Sequence, residues 1–255
     1  MLSASPVLYA HRGASYELPE NTLEAFRLAV DLGARAIETD AHMTRDGRVV
    51  LAHDPSVLRT AGIDKHIREA TLEEVRTWDV GARFFGKDGV RVLWDRTFRV
   101  PLLEEALEEL PDVVFNIDAK QTTPDMVPAL VRSIRAMKNA EERVRITSFS
   151  AKNVARARTL GYPHTGLASS EIAALMLSPF AVAKRMKVLG QAAQVPKRIY
   201  GVTFASQASI DRLHKLGLRV DFWTIDDVEE ARQLLALGAD GIMTNDPRTV
   251  APAFG

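Results

Sequence analysis

Four clusters of polar side chains occur in about the first fifth of the chain, each at or just after an apolar run. They are His11-Arg12-Gly13, Glu20-Asn21-Thr22, Glu38-Thr39-Asp40 and His53-Asp54. If these runs are neighbouring strands, the clusters meet at one end of a sheet. Imidazoles, a guanidinium and paired carboxylates in one place suit phosphate chemistry assisted by a hard metal ion.

Three carboxylates are the candidate metal ligands. Glu38 and Asp40 are two residues apart in a predicted strand, so their side chains share one face and repel unless a cation or proton lies between them. Asp118, followed by Lys120 after a later apolar run, supplies the third. All-oxygen ligands favour Mg²⁺ or Ca²⁺ over zinc. The structural alternatives are a strand end paired with basic neighbours and a buried Asp118–Lys120 ion pair.

His11 and His53 are the candidate acid and base, since each follows a β-type run and imidazole transfers protons near neutral pH. Arg12 is placed to bind non-bridging phosphate oxygens through its forked donors. The structural alternatives are packed strand-end histidines, a surface salt bridge for Arg12 and a simple turn at Gly13. Two histidines, each beside another polar motif, favour the catalytic interpretation.

Later strands contribute less chemistry. Trp223 ends an apolar run and is a candidate for packing on the carbon skeleton of a substrate, with core packing as the alternative. Asn245-Asp246-Pro247 is interpreted as a helix cap. The other four histidines belong to no cluster and are interpreted as structural: His42, His66, His164 and His214.

Short β-type runs alternate with amphipathic helical runs along the chain. Glycine follows several helical runs, as in Leu160-Gly161 and Leu216-Gly217, which is typical of helix ends. The eight predicted strands are Val7–Ala10, Ala36–Asp40, Val113–Asp118, Val144–Ser148, His164–Ala168, Gly201–Thr203, Val220–Thr224 and Gly241–Thr244. Eight strand–helix units predict an α/β fold, a (β/α)8 TIM barrel. A doubly wound open sheet is the alternative, but no GxGxxG loop follows the first strand.

Residues 41–101 interrupt this alternation because they are too long for an ordinary βα connection. Asp46-Gly47 between two apolar runs predicts a hairpin, and Thr71-Leu72-Glu73-Glu74 predicts a short capped helix. We interpret the segment as an insertion after strand two, within a single domain spanning residues 1–255.

Composition excludes several classes of function. The chain has 33 basic and 33 acidic residues and no cysteine, so nothing indicates a nucleic-acid partner, a disulfide or a zinc–thiolate site. The N-terminus has no signal-peptide pattern, and no apolar run approaches the length of a membrane span. These features predict a soluble, cytoplasmic protein.

Taken together, the motifs resemble the glycerophosphodiester phosphodiesterase family along nearly the whole chain. The matching residues are His11-Arg12-Gly13, Pro19-Glu20-Asn21-Thr22, Ala25-Phe26, Gly33-Ala34, Glu38-x-Asp40, Thr44-x-Asp46-Gly47, His53-Asp54, Thr71-Leu72-Glu73-Glu74, Val100-Pro101-Leu102-Leu103-Glu104-Glu105-Ala106-Leu107, Phe222-Trp223-Thr224 and Gly238-Ala239-Asp240-Gly241-Ile242-Met243-Thr244.

The resemblance implies a TIM barrel that cleaves glycerophosphodiesters to glycerol 3-phosphate and an alcohol with one divalent metal ion, Mg²⁺ or Ca²⁺. It implies the following roles: Glu38, Asp40 and Asp118 as metal ligands, His11 and His53 as the acid–base pair, Arg12 and Lys120 on the phosphate, and Glu20 and Asn21 around the same pocket. Members often have Glu where this chain has Asp118. The shorter side chain is still an oxygen ligand, so this departure bears on metal preference or affinity.

Two other functions are compatible with these residues. A lysophospholipase D uses the same site on a lipid, and the apolar residues 171–189 suggest a lipid-contacting lid, with a long kinked barrel helix as the alternative. The second of these functions is that of a catalytically silent barrel that only binds phosphodiesters. The presence of both His11 and His53 argues against it.

Overall fold

A computed structural model of the chain describes residues 6–92, 94–199 and 201–255. Strands and helices alternate through most of this length, which is the pattern of an α/β fold. The strands are β1 (Val7–His11), β2 (Ala36–Met43), β3 (Val49–Leu51), β4 (Val114–Ala119), β5 (Val144–Thr147), β6 (Ala192–Val195), β7 (Arg198–Ile199), β8 (Val202–Thr203), β9 (Arg219–Phe222) and β10 (Gly241–Thr244).

The helices are short, and none within the described residues is long and apolar enough to cross a membrane. The α-helices are α1 (Leu23–Asp31), α2 (Leu58–Ala61), α3 (Leu72–Val75), α4 (Leu103–Glu109), α5 (Val127–Ala136), α6 (Ala140–Arg143), α7 (Ala151–Thr159), α8 (Ser169–Leu177), α9 (Phe180–Ala183), α10 (Gln207–His214), α11 (Val228–Ala236) and α12 (Pro247–Val250), with 3-10 turns at Ile67–Glu69 and Ala251–Ala253.

The main sheet is parallel and curls into a barrel. Its strand order is β5-β4-β2-β1-β10-β9-β6, and residues 164–168 close the gap between the two ends. Ile146 of β5 donates its N–H to the His164 carbonyl at 2.9 Å, and the Leu167 N–H donates to the Ala192 carbonyl of β6 at 3.0 Å. Seven strands and this extended segment therefore form eight positions, which confirms the predicted barrel class.

Helix α1 shows how the sequence builds the layer outside the barrel. The Thr22 hydroxyl accepts the Ala25 N–H at 3.2 Å and caps the helix. The helix buries Ala25, Phe26 and Ala29, and the Phe26 ring meets Phe115 of β4 edge-on at 6.2 Å. This packing fixes the start of α1 directly behind the first two polar clusters.

The predicted sixth strand is present as Val202–Thr203, but its predicted place in the barrel was wrong. The sixth barrel position is β6, whereas Val202–Thr203 pairs with β7 in a separate two-stranded hairpin. Ala192 and Ala193 are fully buried in β6, and their small side chains gave this strand too weak an apolar signal.

A long helix through residues 171–189 is also absent. α8 ends at Leu177, and α9 covers only Phe180–Ala183. Ser178 is extended, as expected before Pro179, which lacks an N–H and disfavours the helical conformation of the residue before it.

The segment between β2 and α4 begins with the predicted hairpin. Ala41 of β2 lies opposite Leu51 of β3, and Met43 lies opposite Val49. The residues that follow pack a small apolar cluster of their own, which includes the buried Phe98. This arrangement places His53 just beyond the end of β3. That the segment is an insertion, and that residues 1–255 are one domain, stay predictions.

Candidate active site

A cavity of about 290 Å³ opens at the carboxyl ends of the barrel strands. Eight of the ten predicted site residues line it: His11, Arg12, Glu38, Asp40, His53, Asp118, Lys120 and Trp223. Strand register brings several of them together, because His11 lies opposite Glu38 and Asp40 lies opposite Asp118. The predicted convergence of side chains from β1, β2, β4 and the β3 loop is therefore present.

Gly13 is required by the close approach of the β1 end to α1. Its φ is +85°, and a Cβ atom there would lie 2.7 Å from the Ala25 backbone carbon. Both facts exclude a larger residue. The tight turn lets Arg12 leave the strand end and reach back over the carboxylates.

Lys120 lies between two of the three predicted metal ligands. Its Nζ is 2.9 Å from Asp40 Oδ1 and 2.7 Å from Asp118 Oδ2. Arg12 Nε adds an ion pair to Asp40 at 3.1 Å, without hydrogen-bond geometry. Burial opposes ionisation of Asp40, but Lys120 and Arg12 outweigh it and hold its pKa below the ordinary value. Burial raises the pKa of Asp118 despite Lys120.

Two buried carboxylate oxygens at the cavity accept no hydrogen bond from the described residues. Glu38 Oε2 and Asp118 Oδ1 are buried without a hydrogen bond among the described residues. Burial, followed by the charges of Asp40 and Asp118, raises the pKa of Glu38 well above its ordinary value. Hard oxygen donors in need of a counter-charge fit Mg²⁺ or Ca²⁺ in kind. No three His, Asp or Glu side chains of the described ranges already have the arrangement of a metal site, and Lys120 supplies the positive charge between Asp40 and Asp118.

Hydrogen bonds fix the ring of His11. Its Nδ1 lies 2.7 Å from Asn245 Oδ1. The Asn245 amide nitrogen donates to Asp226 Oδ2 at 2.9 Å, so the amide oxygen faces the ring and His11 Nδ1 carries the proton. Nε2 is then the basic nitrogen, 3.7 Å from Glu38 Oε2. Burial, followed by the Arg12 charge, lowers the pKa of His11 and favours the neutral ring.

His53 lies in a different electrostatic environment. Its Nδ1 donates to Asp54 Oδ1 at 2.7 Å, and Asp54 Oδ2 accepts from Arg59 Nε at the same distance. Burial opposes ionisation of Asp54, but the hydrogen bonds from His53 and Arg59 lower its pKa. The Asp54 carboxylate, held in turn by Arg59, fixes the orientation of the His53 ring.

Glu20 and Asn21, the other two predicted site residues, lie behind the cavity rather than on its lining. Glu20 accepts from Arg12 at 3.2 Å and from both terminal nitrogens of Arg59. Asn21 donates to Asp40 Oδ2 at 3.2 Å and accepts from the Thr39 hydroxyl at 2.6 Å. In this structure both side chains position Arg12 and Asp40, and their predicted contact with substrate stays a prediction.

Replacing Asn21 with Ala tests this positioning role. Asn21 is buried, so the loss of its two hydrogen bonds is expected to reduce the free energy of unfolding by about 2–3 kcal/mol, as measured by urea denaturation. Asn139→Ala is the matched control, because Asn139 has a similar left-handed φ of 58° on the surface. Equal losses in the two variants would assign the effect to backbone strain alone.

Sequence reasoning missed several residues that support the site. Asn245 follows β10, and its position at a strand end was a usable signal, but it was interpreted only as a cap. Arg59 and Asp226 carry no motif that separates them from other surface charges. Gln194, which exchanges hydrogen bonds with Asn116 at 2.8 and 3.2 Å below the cavity, was missed with the strand that carries it.

An apolar wall completes the cavity on the side of β5 and β9. The Trp223 and Phe149 rings meet edge-on at 5.8 Å, and Leu167 and Ile172 continue the lining. The cavity thus combines a charged side, formed by His11, Arg12 and the carboxylates, with a side suited to carbon skeletons.

Comparison with known proteins places the chain in a family. The sequence model of the glycerophosphoryl diester phosphodiesterase family matches residues 11–249. The chain belongs to this family. Its members are phosphoric diester hydrolases, and the glycerophosphodiester phosphodiesterase of Caldanaerobacter subterraneus is 31% identical to this chain over 249 residues, with 96% of each chain covered.

Solved structures of the glycerophosphodiester phosphodiesterase type have the same fold. One is the glycerophosphoryl diester phosphodiesterase domain of a Mycobacterium tuberculosis protein, with a TM-score of 0.82, 19% identity and 98% of each chain covered. Another is an Oleispira antarctica phosphodiesterase in complex with the product sn-glycerol-3-phosphate. Its TM-score is 0.74 at 20% identity, covering 98% of this chain and 96% of that one.

Proposed function

We propose that this enzyme hydrolyses glycerophosphodiesters to glycerol 3-phosphate and an alcohol, using one divalent cation, Mg²⁺ or Ca²⁺, and proton transfer by His11 and His53. The observation that carries the proposal is that the two imidazoles line one cavity with three carboxylates. The two rings also have different partners: His11 Nδ1 bonds to the Asn245 amide oxygen, whereas His53 Nδ1 bonds to the Asp54 carboxylate. The bound product in the Oleispira antarctica relative supports glycerol phosphate as the common part of the substrate.

Glu38, Asp40 and Asp118 would hold the cation. Glu38 Oε2 and Asp118 Oδ1 are buried without a hydrogen bond within the described ranges, so a bound cation would supply the positive charge that these oxygens lack. When bound, the cation would neutralise phosphate charge and polarise the reacting oxygens. Asp118 is one methylene shorter than the Glu frequent in the family, so we expect this position to influence the choice between Mg²⁺ and Ca²⁺.

The surroundings of the two histidines support a different role for each. His11 is neutral with its proton on Nδ1, so Nε2 accepts the proton of the nucleophile, either water or the glycerol hydroxyl of the substrate. His53 donates to Asp54, and in the proposed reaction it protonates the leaving alkoxide.

Arg12 and Lys120 would bind the phosphate. Arg12 presents a planar fork of donors at the turn after β1, a geometry that matches two phosphate oxygens. Lys120 follows β4 on the opposite side of Asp40. Both cations are held in advance by carboxylates, so they stabilise the charge that develops on the phosphate without reorganising.

The decisive experiment is product release by the purified protein. Glycerophosphocholine and glycerophosphoethanolamine are offered with Mg²⁺, with Ca²⁺ or with EDTA. We expect glycerol 3-phosphate to appear with one of the cations and to fall at least about tenfold with EDTA, because the cation is proposed to carry much of the charge stabilisation. Equal turnover in EDTA would contradict the metal requirement. Tight product binding without turnover of either diester would instead support the silent-barrel alternative.

The apolar wall favours one second candidate, a lysophospholipase D. Phe149, Trp223 and Ile172 line the cavity, and this surface suits the start of an acyl chain. Turnover of a lysophospholipid, with neither small diester cleaved, would assign the enzyme to this activity.

A further inference from the structure

The chain between α8 and β6 carries a concentration of exposed apolar side chains. Five of the ten large exposed hydrophobic residues in the described ranges lie within residues 177–189, here named the α8–α9 surface. Leu177 is the most exposed of all ten, at 73%. The five are Leu177, Phe180, Val182, Met186 and Leu189. Soluble domains rarely leave so many large apolar groups together in water unless the surface binds something.

The same surface is positively charged. Lys184, Arg185 and Lys187 are exposed, and none of them forms an ion pair within the part of the chain that the structure describes. No Asp or Glu occurs between Glu171 and Asp211, while five Lys or Arg do. Lys197 pairs with Glu230. In a chain of zero net charge, Lys184, Arg185 and Lys187 are therefore a local excess of positive charge without an ion-pair partner among the described residues.

The backbone that presents these side chains is held in place. Ile172, Leu175 and Ala183 are buried beneath it. Arg212 of α10 donates to the Leu175 carbonyl at 2.7 Å and also to the Ser178 carbonyl, and its guanidinium lies 5.5 Å from the centre of the Phe180 ring. The apolar side chains are exposed from a supported turn between two helices.

Helix α8 connects the cavity to the α8–α9 surface. Ser169 and Ile172 of α8 line the cavity, and Leu177 ends the same helix. Phe149, 64% exposed, also lines it from the loop after β5. Helix α8 therefore links one wall of the cavity, at its first turn, to the α8–α9 surface, at its last residue.

We propose that the α8–α9 surface docks on anionic lipid bilayers. Apolar side chains interspersed with Lys and Arg are the pattern of an interfacial segment that inserts shallowly and contacts acidic headgroups. A second copy of the chain fits less well, because two such surfaces would bring six unpaired cations face to face. The docking is independent of the proposed chemistry.

The test is co-sedimentation of the full chain with vesicles of phosphatidylcholine, with and without phosphatidylglycerol. We expect binding only to the anionic vesicles, weakened by added salt. Reversing the three charges (Lys184→Glu, Arg185→Glu, Lys187→Glu) is expected to lower the partition coefficient roughly 100-fold, because each basic side chain near the surface contributes about a fivefold factor. Removing apolar contact (Leu177→Ser, Phe180→Ser) is expected to lower it about tenfold or more.

Matched controls separate docking from unfolding and from catalysis. Arg132→Glu with Lys138→Glu and Lys152→Glu reverses three other exposed charges, and Phe85→Ser with Val90→Ser removes exposed apolar groups elsewhere. All variants are expected to turn over glycerophosphocholine like the wild type.

Failure of the wild type to bind anionic vesicles, or an equal loss of binding in the controls, would overturn the docking surface. Vesicle binding without any turnover would overturn only the proposed function. A dimer that dissociates in the Leu177→Ser, Phe180→Ser variant, without vesicle binding, would assign the surface to self-association and overturn the proposal.

Discussion

His11→Ala is expected to lower kcat for glycerophosphocholine by about 10²–10⁴, the range for loss of a general acid or base. His11 Nε2 is the basic nitrogen because Nδ1 donates to an asparagine oxygen whose orientation Asp226 fixes. No other imidazole lies on the β1 side of the described cavity lining, so nothing replaces it. Steady-state turnover with the cation at saturation measures the loss.

The substrate can be chosen to separate the two histidines. With a p-nitrophenyl leaving group, protonation of the alkoxide is unnecessary, so His53→Ala should regain most of its activity while His11→Ala should not. His164→Ala is the matched control, because His164 is half-buried outside the cavity lining and its ring bonds only to Gln191 among the described side chains. If p-nitrophenol release recovers in His11→Ala instead, the two roles are reversed. A fall below about fivefold in both variants would remove the histidines from the proton transfers.

The barrel and the meeting of its polar clusters could be predicted because parallel strands place their carboxyl ends at one edge. Apolar runs marked β1, β2, β4 and β10 closely, and each run that ended in a polar residue identified a position around the cavity. This rule alone was enough to predict that Glu38 and Asp118 lie at the cavity. The period-two spacing then placed Glu38 and Asp40 on one face.

The failures have physical reasons of a different kind. β6 begins with Ala192 and Ala193, which are fully buried but whose small side chains are weak signals of a strand. Arg59 reaches Glu20 across 39 positions of the sequence, and such pairings between exposed charges have no local signature. The positioning role of Asn21 depends on the buried Asp40 and Thr39 oxygens meeting its amide, which only the packed structure determines.

Replacing Lys120 with Met is expected to destabilise the metal-free protein by about 3 kcal/mol at neutral pH. Lys120 is the shared partner of Asp40 and Asp118, at 2.9 and 2.7 Å. Without it, two buried carboxylates face each other with only the Arg12 ion pair to Asp40. Met preserves most of the apolar stem, so the change removes mainly the charge. Urea unfolding in EDTA measures the loss, and Lys152→Met on the exposed face of α7 is the control.

The pH dependence of this loss follows from the two carboxyl pKa values. Lys120 lowers the pKa of both Asp40 and Asp118 relative to burial alone, so its removal raises both in the folded state. A carboxyl with a raised folded pKa destabilises the ionised protein as pH rises through that pKa. The deficit of Lys120→Met should therefore be largest at neutral pH and shrink as pH falls toward 3.8, the ordinary aspartate pKa.

A divalent cation should offset the same deficit. Mg²⁺ or Ca²⁺ is expected to raise the Tm of Lys120→Met more than that of the wild type. The variant has lost the positive charge between its carboxylates, so it should bind the cation more tightly. The stabilisation by a ligand grows with its affinity for the folded state. Turnover should still fall, since the phosphate loses one of its two cations. A deficit that is constant between pH 4 and 7, or equal cation responses in both proteins, would show that Lys120 only packs against its neighbours. The combined pH and cation response would instead identify Lys120 as the charge that holds the carboxylates together until a metal ion binds.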